Sequence, residues 1–351
     1  MTTIGGEEFS HWHRQARRLV EGESDLRSKA AVLRTWGFFC YYSGEYREAI
    51  RVMREARPIA IEAGDRYAEA DTFLIEAMAA SVVGSPRDAG SVAAEVVRLG
   101  RAVGSVRIAG LGLAVGARAW LRQGNPSRAS RQLAAARQTL QRHGIRNELL
   151  ETDFVDAGMQ LDRGNWRRVA GPAERGAVGA HASGWALYES MAPTLVGRAL
   201  LGSGRLVEAA TELARAVESA RAAGAAGTLA LARTALDQAL ILTAQQPPTP
   251  LAEDPKEIEV AAIEAENDGL VALLENRVEE AAAGFSLAVE RWQQLGFTVW
   301  LGRALALQAA TSRRAGDDRG AERLLAGAGN VLDRIKTPAR HRQGVLAPIP
   351  H

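Results

Sequence analysis

A turn glycine returns every 40 residues in this chain, and that spacing constrains the fold more than any other feature. The anchors share one register over seven turns: Gly44, Gly84, Gly124, Gly164, Gly204, Asn276 and Gly316. A second series follows each anchor by 20 residues: Gly64, Gly104, Gly144, Gly184, Gly224, Gly296 and Lys336. Glycine just past a helix supplies the left-handed conformation that ends it. Two such series half a period apart predict a repeating unit of helix, turn, helix, turn.

Small residues repeat in the same register as the turns. The position five residues after each anchor, the position seven residues further on, and the position seven residues before the anchor hold only Gly, Ala or Val. Small residues seven positions apart lie on one helical face, where a neighbouring helix can approach closely. Ala209 and Ala216 form one such pair, so we expect both to be buried.

These three columns of small residues resemble the tetratricopeptide repeat. Residues 31–56, AVLRTWGFFCYYSGEYREAIRVMREA, follow that pattern most closely. The period of 40 exceeds the family's roughly 34 residues, and we expect the extra length in the helices. Long-helix repeats of this kind resemble the sensor regions of large ATP-binding LuxR-type regulators, the maltose regulator family among them. The resemblance implies an all-α fold, an α-solenoid in which seven to eight helix pairs form a right-handed superhelix.

The repeat register fails at one place. Only 72 residues separate Gly204 from Asn276, and the segment 245–255, QQPPTPLAEDP, holds four prolines that do not fit inside a helix. The sequence therefore predicts five regions: an N-terminal segment with a capping helix at 1–26, repeats one to five plus one further helix at 27–244, a proline-rich linker at 245–255, C-terminal repeats at 256–336 and a flexible tail at 337–351.

Charge and apolar content argue against several classes of partner. Lys and Arg total 43 against 41 Asp and Glu. Without a strong overall positive charge, direct binding of nucleic acid is not expected. The longest apolar runs, such as residues 110–121, are too short to span a bilayer. Cys40 is the only cysteine and the N-terminus lacks the apolar core of a signal peptide, which favours a cytoplasmic protein.

Catalytic motifs are scarce. The sequence has no phosphate loop of the Gly-x-x-x-x-Gly-Lys type and no HExxH, and one cysteine cannot build a multi-cysteine metal site. GLGLAVG at 110–116 is glycine-rich like a dinucleotide fingerprint, but it lies inside a predicted helix. The acidic residues Glu148, Glu151, Asp153 and Asp156 are typical of a solvated helix face. We expect no cofactor and no enzymatic activity.

The concave surface is the remaining candidate site. In tetratricopeptide arrays the inner face of the first helix of each pair lines the groove. Carried over by register, these positions predict a partner-binding set: Arg34, Phe38, Tyr41, Tyr42, Asp71, Met78, Arg118, Arg122, Glu151, Phe154 and Arg198. Apolar and aromatic residues with a few arginines favour an apolar helix or a lipophilic small molecule, whose acidic group the arginines would orient. The alternative is that a tightly closed superhelix packs these positions against another helix.

Two functions remain open from the sequence. The first is a non-enzymatic scaffold that binds a protein, peptide or small effector in its groove, in regulation or complex assembly. LuxR-type regulators carry an ATPase before such repeats and a helix-turn-helix after them; neither is expected here, which predicts a freestanding adaptor or a detached sensor region. The second is an enzyme with an all-helical cavity, in which Tyr42, Asp71, Arg118 and Glu151 would serve in acid–base chemistry.

Overall fold

The chain forms a helical tandem repeat. A computed structural model describes residues 6–42, 44–184, 186–243 and 257–337, together with 339, 342 and 345. Within these ranges the regular elements are sixteen α-helices: α1 (Gly6–Gly22), α2 (Leu26–Tyr42), α3 (Tyr46–Glu62), α4 (Arg66–Val83), α5 (Pro86–Ala102), α6 (Val106–Arg122), α7 (Pro126–Arg142), α8 (Arg146–Asp162), α9 (Ala170–Ala182), α10 (Ala186–Gly202), α11 (Leu206–Ala223), α12 (Ala226–Leu242), α13 (Ile258–Leu274), α14 (Val278–Leu295), α15 (Thr298–Arg314) and α16 (Asp318–Arg334). A short 3-10 helix (Trp166–Arg168) precedes α9.

Consecutive helices pack in pairs, which confirms the predicted all-α solenoid. The first helices of the pairs, called the A helices below, are α2, α4, α6, α8, α10, α13 and α15; α12 occupies the same place in the sixth repeat. Most helices are 17 or 18 residues long, so the extra length of the repeat lies in the helices as expected. The proline-rich segment 245–255 and most of the 337–351 tail lie outside the described residues.

The turns follow the predicted left-handed geometry at all but one position. At Gly124 the amide N–H donates to Leu121 and the next N–H donates to Trp120, both at 2.9 Å, which is the Schellman pattern. Asn276 and Lys336 adopt the same conformation, with φ of 61° and 56°. The prediction is wrong at Gly84, whose φ is −95°. There α4 continues to Val83, and the Gly84 N–H still donates to the carbonyl of Ala80 at 2.8 Å.

The small residues lie where helices touch, which confirms their predicted burial. Ala209 and Ala216 are fully buried. At Gly37 an added Cβ would lie 2.0 Å from Cε of Met53, and at Gly197 it would lie 2.6 Å from Cγ of Leu213. The helices of each pair are therefore closer than larger side chains at these positions would allow.

The last two pairs pack across the inner surface of the earlier repeats. Helix α13 contacts α4, and α15 contacts α8. The Trp166 and Trp300 rings lie 5.9 Å apart, and one hydrophobic cluster extends from α6 through α10 into α13 to α16. The array of 40-residue repeats therefore closes on itself, and its inner surface becomes the wall of a central cavity.

Candidate ligand-binding cavity

The central cavity is lined by one face of each A helix from α2 to α10, by α12, and by the N-terminal ends of α3 and α13. Its volume is about 160 Å³. Six of the predicted groove residues contribute to its wall: Tyr41, Met78, Arg118, Glu151, Phe154 and Arg198. The 40-residue period explains this convergence, because residues one period apart occupy the same position on successive A helices.

Glu151 and Tyr188 of the cavity wall are hydrogen-bonded to each other, and the phenol of Tyr42 lies beside them. The hydroxyl of Tyr188 donates to Oε1 of Glu151 at 2.7 Å, and the hydroxyl of Tyr42 lies 3.4 Å from the same oxygen. The Tyr188 ring stacks on Phe154 with centroids 5.4 Å apart. Sequence reasoning missed Tyr188. It lies three residues before Met191, one turn earlier on the same face of α10, so extending the groove register by a turn would have found it.

Burial shifts the titration of the acids in this wall. It raises the pKa of Glu151 to about 7, although hydrogen bonds from Tyr188 and Tyr42 and the charge of Arg107 oppose the shift. Burial, with the nearby charges of Glu259 and Glu45, raises the pKa of Glu257 to about 8. Both carboxyl groups can therefore hold a proton near neutral pH, because the low-dielectric interior disfavours the ionised form.

Three arginines and two carboxylates form a largely buried charge cluster, of which Arg118, Arg198 and Glu259 belong to the cavity wall. Nη1 of Arg198 lies 2.7 Å from Oε1 of Glu259. Oδ2 of Asp162 lies 3.6 Å from Nε of Arg118 and 3.8 Å from Nε of Arg122. Asp162 is shared between two guanidinium groups at distances longer than a good hydrogen bond.

The C-terminal repeats cover two of these arginines. The Arg122 guanidinium lies 3.9 Å from the centroid of the Phe297 ring, and its Nη1 donates to the backbone carbonyl of Ser81 at 2.5 Å. Burial, helped by the charge of Arg118, lowers the pKa of Arg122 to about 9. Arg198 lies 5.0 Å from the Trp300 ring centroid. Of the three, Arg118 is the one whose side chain keeps substantial exposure, 23%.

The other predicted groove residues support the cavity from outside its wall. Asp71 accepts a hydrogen bond from Arg107 at 2.9 Å and lies 3.4 Å from Nε of Arg34. The Phe38 ring lies 4.7 Å from that of Tyr42. Arg34, Phe38 and Asp71 therefore contact residues of the first three repeats and are not part of the cavity wall.

The expectation of a solvated acidic face on α8 is wrong. Glu148 accepts from Arg107 at 3.0 Å, and Arg137 donates to Asp153 at 2.8 Å and to Asp156 at 3.0 Å. Glu151 faces the cavity. The physical reason is that α8 has neighbours on both flanks, and each supplies an arginine that reaches its acidic residues.

Other chemistry finds little support in the described part of the chain. No group of three or more His, Cys, Asp or Glu side chains there is placed to hold a metal ion. Gly110, Gly112 and Gly116 of the GLGLAVG stretch lie inside α6, as predicted. None of the described helices combines the length and the apolar character that crossing a membrane requires.

Comparisons with known proteins add little. No protein-family model matches the chain, and no curated protein matches it. Among solved structures, a circular tandem repeat protein with novel repeat topology and enhanced subunit contact surfaces is 15% identical, with 94% of this chain and 90% of that chain covered, at a TM-score of 0.26. That score is too low to support an argument from likeness. The tandem-repeat assignment therefore rests on the helices and turns described above.

Proposed function

We propose that this protein is a non-enzymatic helical-repeat scaffold that binds a small effector in its central cavity and passes the occupied state on to a partner. The observation that carries the proposal is the convergence of six predicted groove residues on one cavity wall. Residues from five different repeats contribute to it, so one ligand could contact all of them.

The dimensions favour a small molecule over a peptide inside the solenoid. A cavity of about 160 Å³ is close to the roughly 150 Å³ cavity that accommodates benzene in another protein. A helical peptide would have to displace α13 and α15 from the inner surface. A macromolecular partner would instead bind the outer surface of the solenoid.

The wall composition suits a ligand with an apolar body and few polar groups. Phe154, Val155 and Leu195 offer apolar area, while Tyr188, Glu151 and Arg118 offer hydrogen-bonding groups. A few polar groups in a mostly apolar wall are typical of small-molecule sites.

Repeat architecture links such binding to shape. Each repeat contacts mainly its neighbours, so a ligand that bridges several A helices favours one curvature of the solenoid over others. We place the repeats in the tetratricopeptide class, on their columns of small residues, and compare the role to that of LuxR-type sensor regions. The buried free thiol of Cys40 fits a reducing, cytoplasmic setting.

A thermal-shift screen of neutral aromatic fragments tests the proposal on the full chain. Leu195→Trp should fill the cavity and remove the shift produced by each true hit, because the fragment loses its space. Val207→Trp is the matched control, since Val207 is 65% exposed on α11, and it should leave the shifts intact. Hits that survive Leu195→Trp, or a screen without hits, would contradict binding in the cavity.

An enzyme remains the second candidate, favoured by one observation. Glu151 lies in a cavity with a pKa of about 7 and accepts a hydrogen bond from Tyr188, as a general acid or base would. Its test is to follow each confirmed hit by NMR for chemical conversion. Turnover that Glu151→Gln abolishes while binding persists would favour the enzyme over the scaffold.

A further inference from the structure

We infer that the ligand of the central cavity carries a carboxylate, which Arg118 binds. This inference rests on the proposed binding function and adds the chemical class of the ligand. It follows from an imbalance of charge in the cluster formed by Arg118, Arg122, Arg198, Asp162 and Glu259.

The cluster holds three guanidinium groups and two carboxylates, and so one positive charge in excess. Glu259 forms its ion pair with Arg198, at 2.7 Å. Asp162 is left to lie between Arg118 and Arg122. Nε of Arg118, Nε of Arg122 and Oδ2 of Asp162 are all buried and make no hydrogen bond. Since charges in a protein interior are normally paired, this excess of positive charge favours a bound anion beside the cluster.

Arg118 is the arginine that a cavity ligand can reach. Arg122 lies under Phe297 and donates to a backbone carbonyl, and only 4% of the Arg198 side chain is exposed. Arg118 lines the cavity and is 23% exposed. Its guanidinium lies beside Gly158 on α8, since an added Cβ there would be in ordinary contact with Cζ of Arg118, at 3.9 Å.

The other acids of the cavity wall do not neutralise Arg118. Glu151 lies seven residues before Gly158 on α8, about 10 Å away along the helix axis, and it accepts from Tyr188. The charges that raise the pKa of Glu257 are those of Glu259 and Glu45, and no arginine charge opposes them. The pKa of Glu257, about 8, keeps that carboxyl mainly protonated at neutral pH.

A ligand fits this arrangement when its apolar body lies along Phe154 and Val155 and its carboxylate points to Arg118. A guanidinium and a carboxylate can form two parallel N–H···O bonds, and such charge-assisted bonds are stronger than neutral ones.

Three planar probes of nearly equal shape test the inference on the full chain at pH 7: benzoate, benzamide and benzamidine, with charges of −1, 0 and +1. Ligand-observed NMR titrations give the dissociation constant of each. We expect benzoate to bind about tenfold more tightly than benzamide, which is the scale of a hydrogen bond to a charged group. Benzamidine should bind most weakly.

Variants of Arg118 assign the preference to this residue. Arg118→Met should bring benzoate down to the affinity of benzamide, while benzamide itself changes less than about twofold. Arg118→Lys keeps the positive charge, so benzoate should still bind more tightly than benzamide. Arg128 is an exposed arginine on α7, and Arg128→Met is the matched control; it should leave the dissociation constants of all three probes unchanged. If Arg118→Met fails to fold, the wild-type order and Arg118→Lys decide.

The outcomes separate this inference from the function on which it rests. Benzamide or benzamidine binding as tightly as benzoate overturns the carboxylate ligand and leaves cavity binding intact. If none of the three probes binds while neutral fragments do, the carboxylate ligand is likewise overturned and cavity binding stands. If the fragment screen also yields nothing, both the proposed function and the carboxylate ligand fall.

Discussion

The contact between α13 and α14 gives a sharp test of the packing, because two glycines bring the helix backbones together there. A Cβ added at Gly284 would lie 2.9 Å from the carbonyl oxygen of Ala265 and 2.9 Å from the amide nitrogen of Gly269. All of these neighbours are backbone atoms, which cannot rotate away. We therefore expect Gly284→Ala to destabilise the protein, although alanine is the better helix former.

The size of the effect follows from two opposing terms. Ordinary contacts of a Cβ begin near 3.4 Å, so the two helices would have to separate by about 0.5 Å, the difference between 3.4 and 2.9 Å. Overpacking of this kind costs about 1–3 kcal/mol, against about 1 kcal/mol gained from helix propensity. The expected net loss of unfolding free energy is therefore up to about 2 kcal/mol.

Gly327→Ala is the matched control. Gly327 lies inside α16, and nothing stands within 4 Å of the position of its added Cβ. Only the propensity term then applies, so this variant should gain about 1 kcal/mol. The same substitution thus has opposite signs at two helical sites.

Urea unfolding followed by far-UV circular dichroism measures both variants. Native-state hydrogen exchange adds a local reading: Gly284→Ala should speed exchange in α13 and α14, and Gly327→Ala should slow it in α16. If Gly284→Ala proves as stable as Gly327→Ala, the close backbone approach of α13 and α14 is refuted.

Three further predictions address other parts of the molecule. Ala216→Leu should cost about 1–3 kcal/mol of unfolding free energy, because its side chain is fully buried, whereas Ala214→Leu, on the exposed face of the same helix, should be nearly neutral; equal midpoints in urea would contradict the burial. The pKa of Glu257 is raised from 4.5 to about 8, so its protonated form stabilises the fold below pH 4.5 and that stability is lost as the pH rises towards 8. Glu257→Gln should therefore raise the melting temperature by an amount that grows from pH 4.5 to 8, and exposed Glu279→Gln should show no such trend; a flat difference for Glu257→Gln would refute the assignment. Limited proteolysis should cut within 245–255 before any turn of the repeats, because four prolines there do not fit a helix; first cleavage in repeats two to four would count against this.

The sequence by itself determined the repeating unit. Left-handed turns need glycine or a tolerated substitute, and helices in close contact need small residues, so both requirements are written locally in the 40-residue register. The same register placed Tyr41, Met78 and Arg118 on the inner face of the A helices, where the cavity wall contains them. Local rules sufficed here because each repeat contacts mainly its neighbours.

Only the tertiary structure decided what the inner surface encloses. The contacts of α13 with α4 and of α15 with α8 depend on how small rotations between repeats accumulate over the whole array, and no local pattern records that sum. Those contacts buried Arg122 under Phe297 and paired Arg198 with Glu259. They also left Arg118 facing the cavity with Asp162 no nearer than 3.6 Å, because charged residues of distant repeats come together only once the superhelix has closed.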